Sequence, residues 1–146
     1  MTAPSPPPDA CPCGSGKPLA TCCGPYLAGA AAASAQALMR SRYVAYTLGR
    51  EAYLLATWHA STRPAALGLA GQPQARWLGL DIRRDDSQGP EHALVEFVAR
   101  YKIGGRAYRL HEVSRFVREG GRWYYVAGDL VDPQAGRPDA PGTRPS

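Results

Sequence analysis

All four cysteines of this chain fall within thirteen positions, as Cys11-Pro12-Cys13 and then Cys22-Cys23. Four soft ligands gathered so tightly are what a tetrahedral Zn²⁺ takes, and a four-cysteine set is closed, with no open position for a substrate. The spacing joins a C-x-C pair to an adjacent C-C pair in place of two C-x₂-C pairs. Gly14 and Gly16 let the backbone fold back sharply and turn N–H groups toward the thiolates. Lys17 offsets part of the negative charge that four thiolates leave around one divalent cation. These residues predict a zinc knuckle with Cys11, Cys13, Cys22 and Cys23 as structural ligands.

Other chemistries suit the same residues less well. Disulfides belong to oxidising compartments, and neighbouring Cys22 and Cys23 bridge each other only with strain. A redox C-x-x-C is absent, which leaves a reactive thiol cluster as the lesser alternative. Gly14-Ser15-Gly16-Lys17 is similar to the end of a phosphate-binding loop, but Pro18 stands where Ser or Thr would hold Mg²⁺, and no apolar strand leads in.

With 146 residues, 45% of them hydrophobic, the chain builds one modest globular body plus appendages. Its formal charge of +5 falls to +3 once four thiolates and one Zn²⁺ are counted. Fifteen of the seventeen basic residues are Arg, the side chain better suited to phosphate and carboxylate. No apolar run approaches a membrane span, so no membrane insertion is expected. Met1–Ala10 has neither a basic start nor an apolar run, and Pro4, Pro6, Pro7 and Pro8 oppose a helix, so no targeting segment is expected and a cytoplasmic setting is consistent.

Read in order, residues 1–9 form a proline-rich leader expected to be disordered, and 10–27 the knuckle, expected to fold and unfold with its metal as a unit of its own. Ser34 is a suitable N-cap for a helix that carries Leu38, Met39, Tyr43, Ala45 and Tyr46 at three-to-four-residue spacing and ends near Gly49. A second short helix is predicted over 50–58 and a loop over 61–74, where Pro64, Gly68, Gly71 and Pro73 cluster. Strands are predicted near 76–84, 92–103, 107–118 and 122–130, with tight hairpins at Gly104-Gly105 and Gly120-Gly121. Residues 132–146 are Pro, Gly, Ala and charge, expected to be disordered. Helices followed by an antiparallel meander give an α+β body over 30–131.

The Gly-Gly turns fix a register. Ile103 pairs with Arg106, so Tyr101 faces Tyr108, Ala99 faces Leu110 and Phe97 faces Glu112. Arg118 faces Trp123, Phe116 faces Tyr125 and Ser114 faces Ala127. One sheet face then reads Val95, Phe97, Ala99, Tyr101, Leu110, Phe116, Trp123 and Tyr125, an apolar wall for the helices to cover. Glu112 and Ser114 project into that wall, with Asp129 beside Glu112. A carboxylate on a buried face is costly unless paired or protonated. Glu112 is therefore either the acid/base candidate of a pocket that Tyr43, Trp58 and His59 also approach, or a structural partner of Arg40 or Arg42. The opposite face reads Glu96, Val98, Arg100, Arg109, His111, Val113 and Arg115, with Arg100 directly facing Arg109.

Cys11-Pro-Cys-Gly-Ser-Gly-Lys with Cys22-Cys23 resembles the SEC-C motif, the zinc module at the C-terminus of the SecA translocation motor, in which the last ligand is His where this chain has Cys23. Leu38–Tyr43, Thr57-Trp-His59, Val95–Tyr101, His111–Phe116 and Arg122–Tyr125 together resemble the bacterial YchJ family over residues 11–130. That resemblance implies SEC-C joined to a cone-shaped, nuclear-transport-factor-2-like (NTF2-like) domain of helices on a curved antiparallel sheet, and it implies no particular reaction. By analogy with SecA, it suggests a module whose knuckle docks a protein partner from the translocation or ribosomal machinery. The alternatives are a small-molecule binder or acid/base enzyme using the cone around Glu112, and RNA or ribosome binding through the Arg-rich face, which lacks an evident stacking platform.

Overall fold

The computed structural model describes residues 10–71 and 75–131; the expected leader over 1–9 and tail over 132–146 lie outside the described residues. The order is a short helix α1 (Gly24–Leu27), helix α2 (Ala35–Leu48), helix α3 (Glu51–Ala56) and four strands, β1 (Arg76–Ser87), β2 (His92–Ile103), β3 (Arg106–Glu119) and β4 (Arg122–Leu130). The strands form one antiparallel sheet in the order β1-β2-β3-β4. This is the expected α+β meander.

Helix α2 is defined at both ends. The Ser34 hydroxyl accepts from the Ala37 N–H at 3.0 Å, and Gly49, at φ +71°, closes the C-terminus in the left-handed conformation. Its inner face buries Leu38, Met39, Tyr43 and Val44 against Val95, Phe97, Ala99 and Phe116 of the sheet. Each fully buried aliphatic or aromatic side chain contributes about 1.5–3 kcal/mol. Helix α3 stops two residues short of the expected end. Thr57 and Trp58 run alongside β4 instead: Tyr125 N–H donates to the Thr57 carbonyl at 2.8 Å and His59 N–H to the Tyr125 carbonyl at 2.7 Å.

The β2–β3 register is the one the Gly104-Gly105 turn dictates, with Phe97 opposite Glu112 and Arg100 opposite Arg109. The β3–β4 register follows the second hairpin as far as Phe116 opposite Tyr125, and then shifts by one residue. Val126 is the extra residue. A bulge of this kind places two residues of one strand against one of its partner and reverses which side chains face inward. Ser114 consequently faces Gly128, not Ala127, and Asp129 lies opposite Val113 on the outer face. The Thr62 hydroxyl donates to the Val126 carbonyl at 2.6 Å, a contact from the loop after α3 to the bulged residue.

The knuckle packs directly against the body. Cys11, Cys13 and Cys23 are buried in the same cluster as α2 and the sheet, with Leu19, Leu27 and Ala32 packed against it. The interior of the knuckle is thus continuous with the core. No helix among the described residues is long and apolar enough to cross a membrane.

Candidate metal centre and aromatic cavity

The loop carrying Cys11 and Cys13 turns back on itself, and the Cys11 N–H donates to the Lys17 carbonyl at 2.9 Å. Gly14 and Gly16 adopt φ +84° and +88°, conformations that L side chains rarely take. Gly24, just past the second pair, comes so close to the Leu19 carbonyl that a Cβ would stand 2.7 Å from its oxygen. The result is four sulfurs all within 4.8 Å of one another, three of them on buried residues. The Ser15 hydroxyl lies 3.0 Å from Cys22 Sγ.

The Cys23 thiol, by its hydrogen bond, holds Cys13 as a thiolate with its pKa lowered to about 4. That same bond, with burial and the Cys13 charge, pushes the Cys23 thiol far up, and burial also raises Cys11. A cation among the sulfurs removes the conflict, since it favours every thiolate at once. The four cysteines can hold a metal ion.

Arg40 ties this centre to the body. Its Nη1 donates to the Cys13 carbonyl at 3.0 Å and its Nε to Gln36 Oε1 at 3.1 Å, while Gln36 Nε2 donates to Asp85 Oδ2 on β1 at 3.0 Å.

A second feature lies beneath α2. A partly open cavity of about 50 Å³ has aromatic walls from Tyr43, Tyr46, Trp58, Trp77, Phe97 and Tyr125, and polar groups from Arg42, Glu112 and Ser114. Arg42 is 3% exposed. Its Nη1 donates to the Leu54 carbonyl at 2.8 Å and the Thr57 hydroxyl at 2.7 Å, and its Cζ sits 4.5 Å from the Tyr125 ring centre. Burial pulls its pKa down, and the negative charge of Glu112 is among the influences that counter this. Ser114, also buried, donates its hydroxyl to Glu112 Oε2 at 2.7 Å. The Glu112 side chain lies across Gly128, and a Cβ built on Gly128 would collide with the Glu112 carboxylate.

Of the residues singled out in the sequence, Tyr43, Trp58, Glu112 and Ser114 line this cavity. Asp129 does not: the bulge turns it outward, where its carboxylate accepts from Arg115. His59 does not either. Leaving α3 early aims Trp58 inward and His59 outward, where its Nε2 meets Glu119 Oε2 at 2.9 Å and its Nδ1 the Ser61 hydroxyl at 2.7 Å. Arg40 serves the knuckle, and Arg42 is the arginine that shares the cavity with Glu112. Arg42 had a readable signal, because Leu38, Arg42 and Tyr46 are spaced by four and an arginine in an apolar helical stripe marks a buried charge. Gly128 had none.

An α+β body of the NTF2-like class with a cysteine-rich N-terminal knuckle is thus the class of protein these features define. Residues 34–128 match the family model described as "YchJ, middle NTF2-like domain", and residues 8–25 match the SEC-C motif. The chain belongs to the YchJ family. It is 58% identical over 140 residues to a UPF0225 protein of Ralstonia nicotianae, covering 88% of this chain and 96% of that one. A UPF0225 protein of Chromobacterium violaceum is 59% identical over 124 residues, covering 82% and 91%. Among solved structures, a SEC-C motif containing protein from Rhodopseudomonas palustris superposes with a TM-score of 0.76 at 39% identity, covering 84% of this chain and 98% of that one. Another, from Psychrobacter arcticus, superposes at 0.68 with 26% identity, covering 89% and 84%.

Proposed function

We propose that the protein is a zinc-stabilised cytoplasmic accessory module whose knuckle docks a protein partner. The observation that carries this reading is the closed sulfur set: four Sγ atoms within 4.8 Å, three from buried residues. Tetrahedral zinc with Zn–S near 2.3 Å needs sulfurs about 3.8 Å apart, and Cys13 and Cys22 are already at 3.6 Å. With four protein ligands the ion has no position left for a substrate, so its role is architectural. What it shapes is the exposed turn Gly14–Pro18, held rigidly against the body by Arg40. A rigid exposed turn on a metal support suits recognition of a partner surface at low entropic cost. The likeness to SEC-C proteins makes the translocation motor and the ribosome the first partners to try.

The test uses the full chain purified in reducing buffer. Metal analysis should give one zinc per chain, and a translocation motor or ribosome fraction should retain the wild-type chain on a column. Lys17→Ala, which leaves the four cysteines and the Ser15–Cys22 contact in place, should weaken that retention while keeping its zinc. Absence of zinc overturns the metal assignment. Retention unchanged after all four cysteines become serine overturns docking through the knuckle.

A further inference from the structure

The side of the sheet turned away from α2 carries an uneven distribution of charge. At the end nearest the Gly104-Gly105 turn, Trp77, Tyr101 and Leu110 face inward, so the residues that alternate with them face out. There Arg76 stands opposite Lys102, and Lys102 opposite Ala107. One outward step along, beyond a bulge in β1, Gly79 stands opposite Arg100, and Arg100 opposite Arg109. Neighbouring strands lie about 4.8 Å apart and alternate residues about 6.7 Å, so the four cations share a patch of roughly 10 by 7 Å. All four are exposed. Gly79 leaves the ground beside Arg100 open, since a Cβ built there would meet nothing within 4 Å.

Acidic residues elsewhere on this face are engaged. Glu96 meets His111 at 2.7 Å and Arg84 at 3.6 Å, Asp81 meets Arg83 at 2.9 Å, and Asp129 meets Arg115. Among the described residues, no carboxylate forms an ion pair with Arg76, Arg100, Lys102 or Arg109. Arg100 directly opposite Arg109 costs stability, because like charges face each other across the strands. An anion seated between them reverses that penalty.

We propose that this patch binds the phosphate backbone of double-helical RNA, without reading its sequence. The planar fork of Arg takes a phosphate through two parallel hydrogen bonds, and Arg100 and Arg109 flank a place for one, with Arg76 and Lys102 set for its neighbours. None of the six patch residues is aromatic, so bases splayed from a single strand find no stacking surface. Apart from exposed Leu78 at the bulge, the patch also lacks the apolar centre from which a protein partner draws its binding, whereas a polyanion binds through charge and released counterions. An open sheet surface suits the wide, shallow minor groove of A-form RNA, while the major groove of B-DNA takes an inserted helix or ribbon. This surface is distinct from the knuckle, and the inference does not rest on the docking role given to it.

The probe is a labelled RNA duplex of about 20 base pairs and arbitrary sequence, read by fluorescence anisotropy with the full-length protein. Contact with three to four phosphates predicts a fall in affinity of about a hundredfold between about 50 and 200 mM salt. Arg100→Ala/Arg109→Ala should weaken binding about tenfold at the lower salt and reduce the slope of log affinity against log salt by about two. Its urea midpoint should be no lower than that of the wild-type chain, because the change removes a repulsion. Arg83→Ala/Arg115→Ala removes the same charge from ion-paired positions of the sheet and should stay within about twofold of wild type. A DNA duplex of the same sequence should bind about threefold more weakly, and a Glu-rich peptide of equal charge about tenfold. The proposal is overturned if the RNA fails to bind at the lower salt, if salt leaves its affinity unchanged, or if the two double variants lose equally. It is also overturned if the DNA or the peptide equals the RNA. The cysteines and Lys17 are untouched throughout, so zinc content and partner retention stay at wild-type values, and failure here leaves the knuckle proposal standing.

Discussion

Arg40 donates to the main-chain carbonyl of Cys13 at 3.0 Å, so the helix that forms the lid of the sheet also holds the ligand loop in place. A charged donor on a carbonyl is among the stronger hydrogen bonds, and its loss leaves the acceptor to find water in a partly closed site.

Arg40→Ala should therefore cost about 1–2 kcal/mol and speed metal loss to a chromogenic chelator. Stopped-flow chelation of the variant beside wild type reads both. Equal release rates would show that the knuckle keeps its shape without the helix.

Because Cys11, Cys13 and Cys23 are buried together with α2 and the sheet, stripping the metal should destabilise the whole body. Calorimetry after chelation in reducing buffer should show one transition moved down by about 10 °C or more. Two separate transitions, with the sheet's unmoved, would mean that the two parts melt independently.

Gly128→Ala forces a Cβ into the Glu112 side chain and should destabilise by about 1–3 kcal/mol. Removing the carboxylate relieves the collision, so Gly128→Ala/Glu112→Ala should be less unstable than the two single changes added together. A double-mutant cycle in urea measures the coupling, expected at about 1 kcal/mol or more; additive penalties would contradict the placement of Glu112.

Burial raises the Tyr43 phenol to about 12. A raised folded pKa gives stability that is complete below the unfolded value near 10 and is lost as pH climbs toward 12. Tyr43→Phe should remove about 2–3 kcal/mol of the fall in stability between those pH values. Urea melts at stepped alkaline pH provide the comparison; parallel curves for both chains would refute it.

Much of this molecule is legible in its sequence because its signals are local. Cys11 through Cys23 announce by spacing alone the sulfur cluster that the fold brings together, Ser34 and Gly49 bracket α2, and each Gly-Gly pair dictates a two-residue hairpin with its register. What is not legible depends on distant partners. Nothing in Trp-Tyr-Tyr-Val-Ala-Gly-Asp shows that Val126 is skipped, since the bulge is stabilised by Thr62, sixty-four residues away. Asp129 was expected inside for that reason. His59 was expected to face the cavity because the helix was carried on to Trp58; pairing of Thr57 and His59 with Tyr125 ends it earlier.

The one-residue slip at Val126 works as a phase inverter. Before it, odd-numbered positions of the last strand look inward; after it, even-numbered ones do. Removing the slip would set Asp129 opposite Glu112 in place of Leu130, and Ala127 opposite Ser114 in place of Gly128, crowding two anions into a space made for one. The sign of the charge in this interior is therefore decided by counting residues along nine positions of backbone as much as by which residues they are.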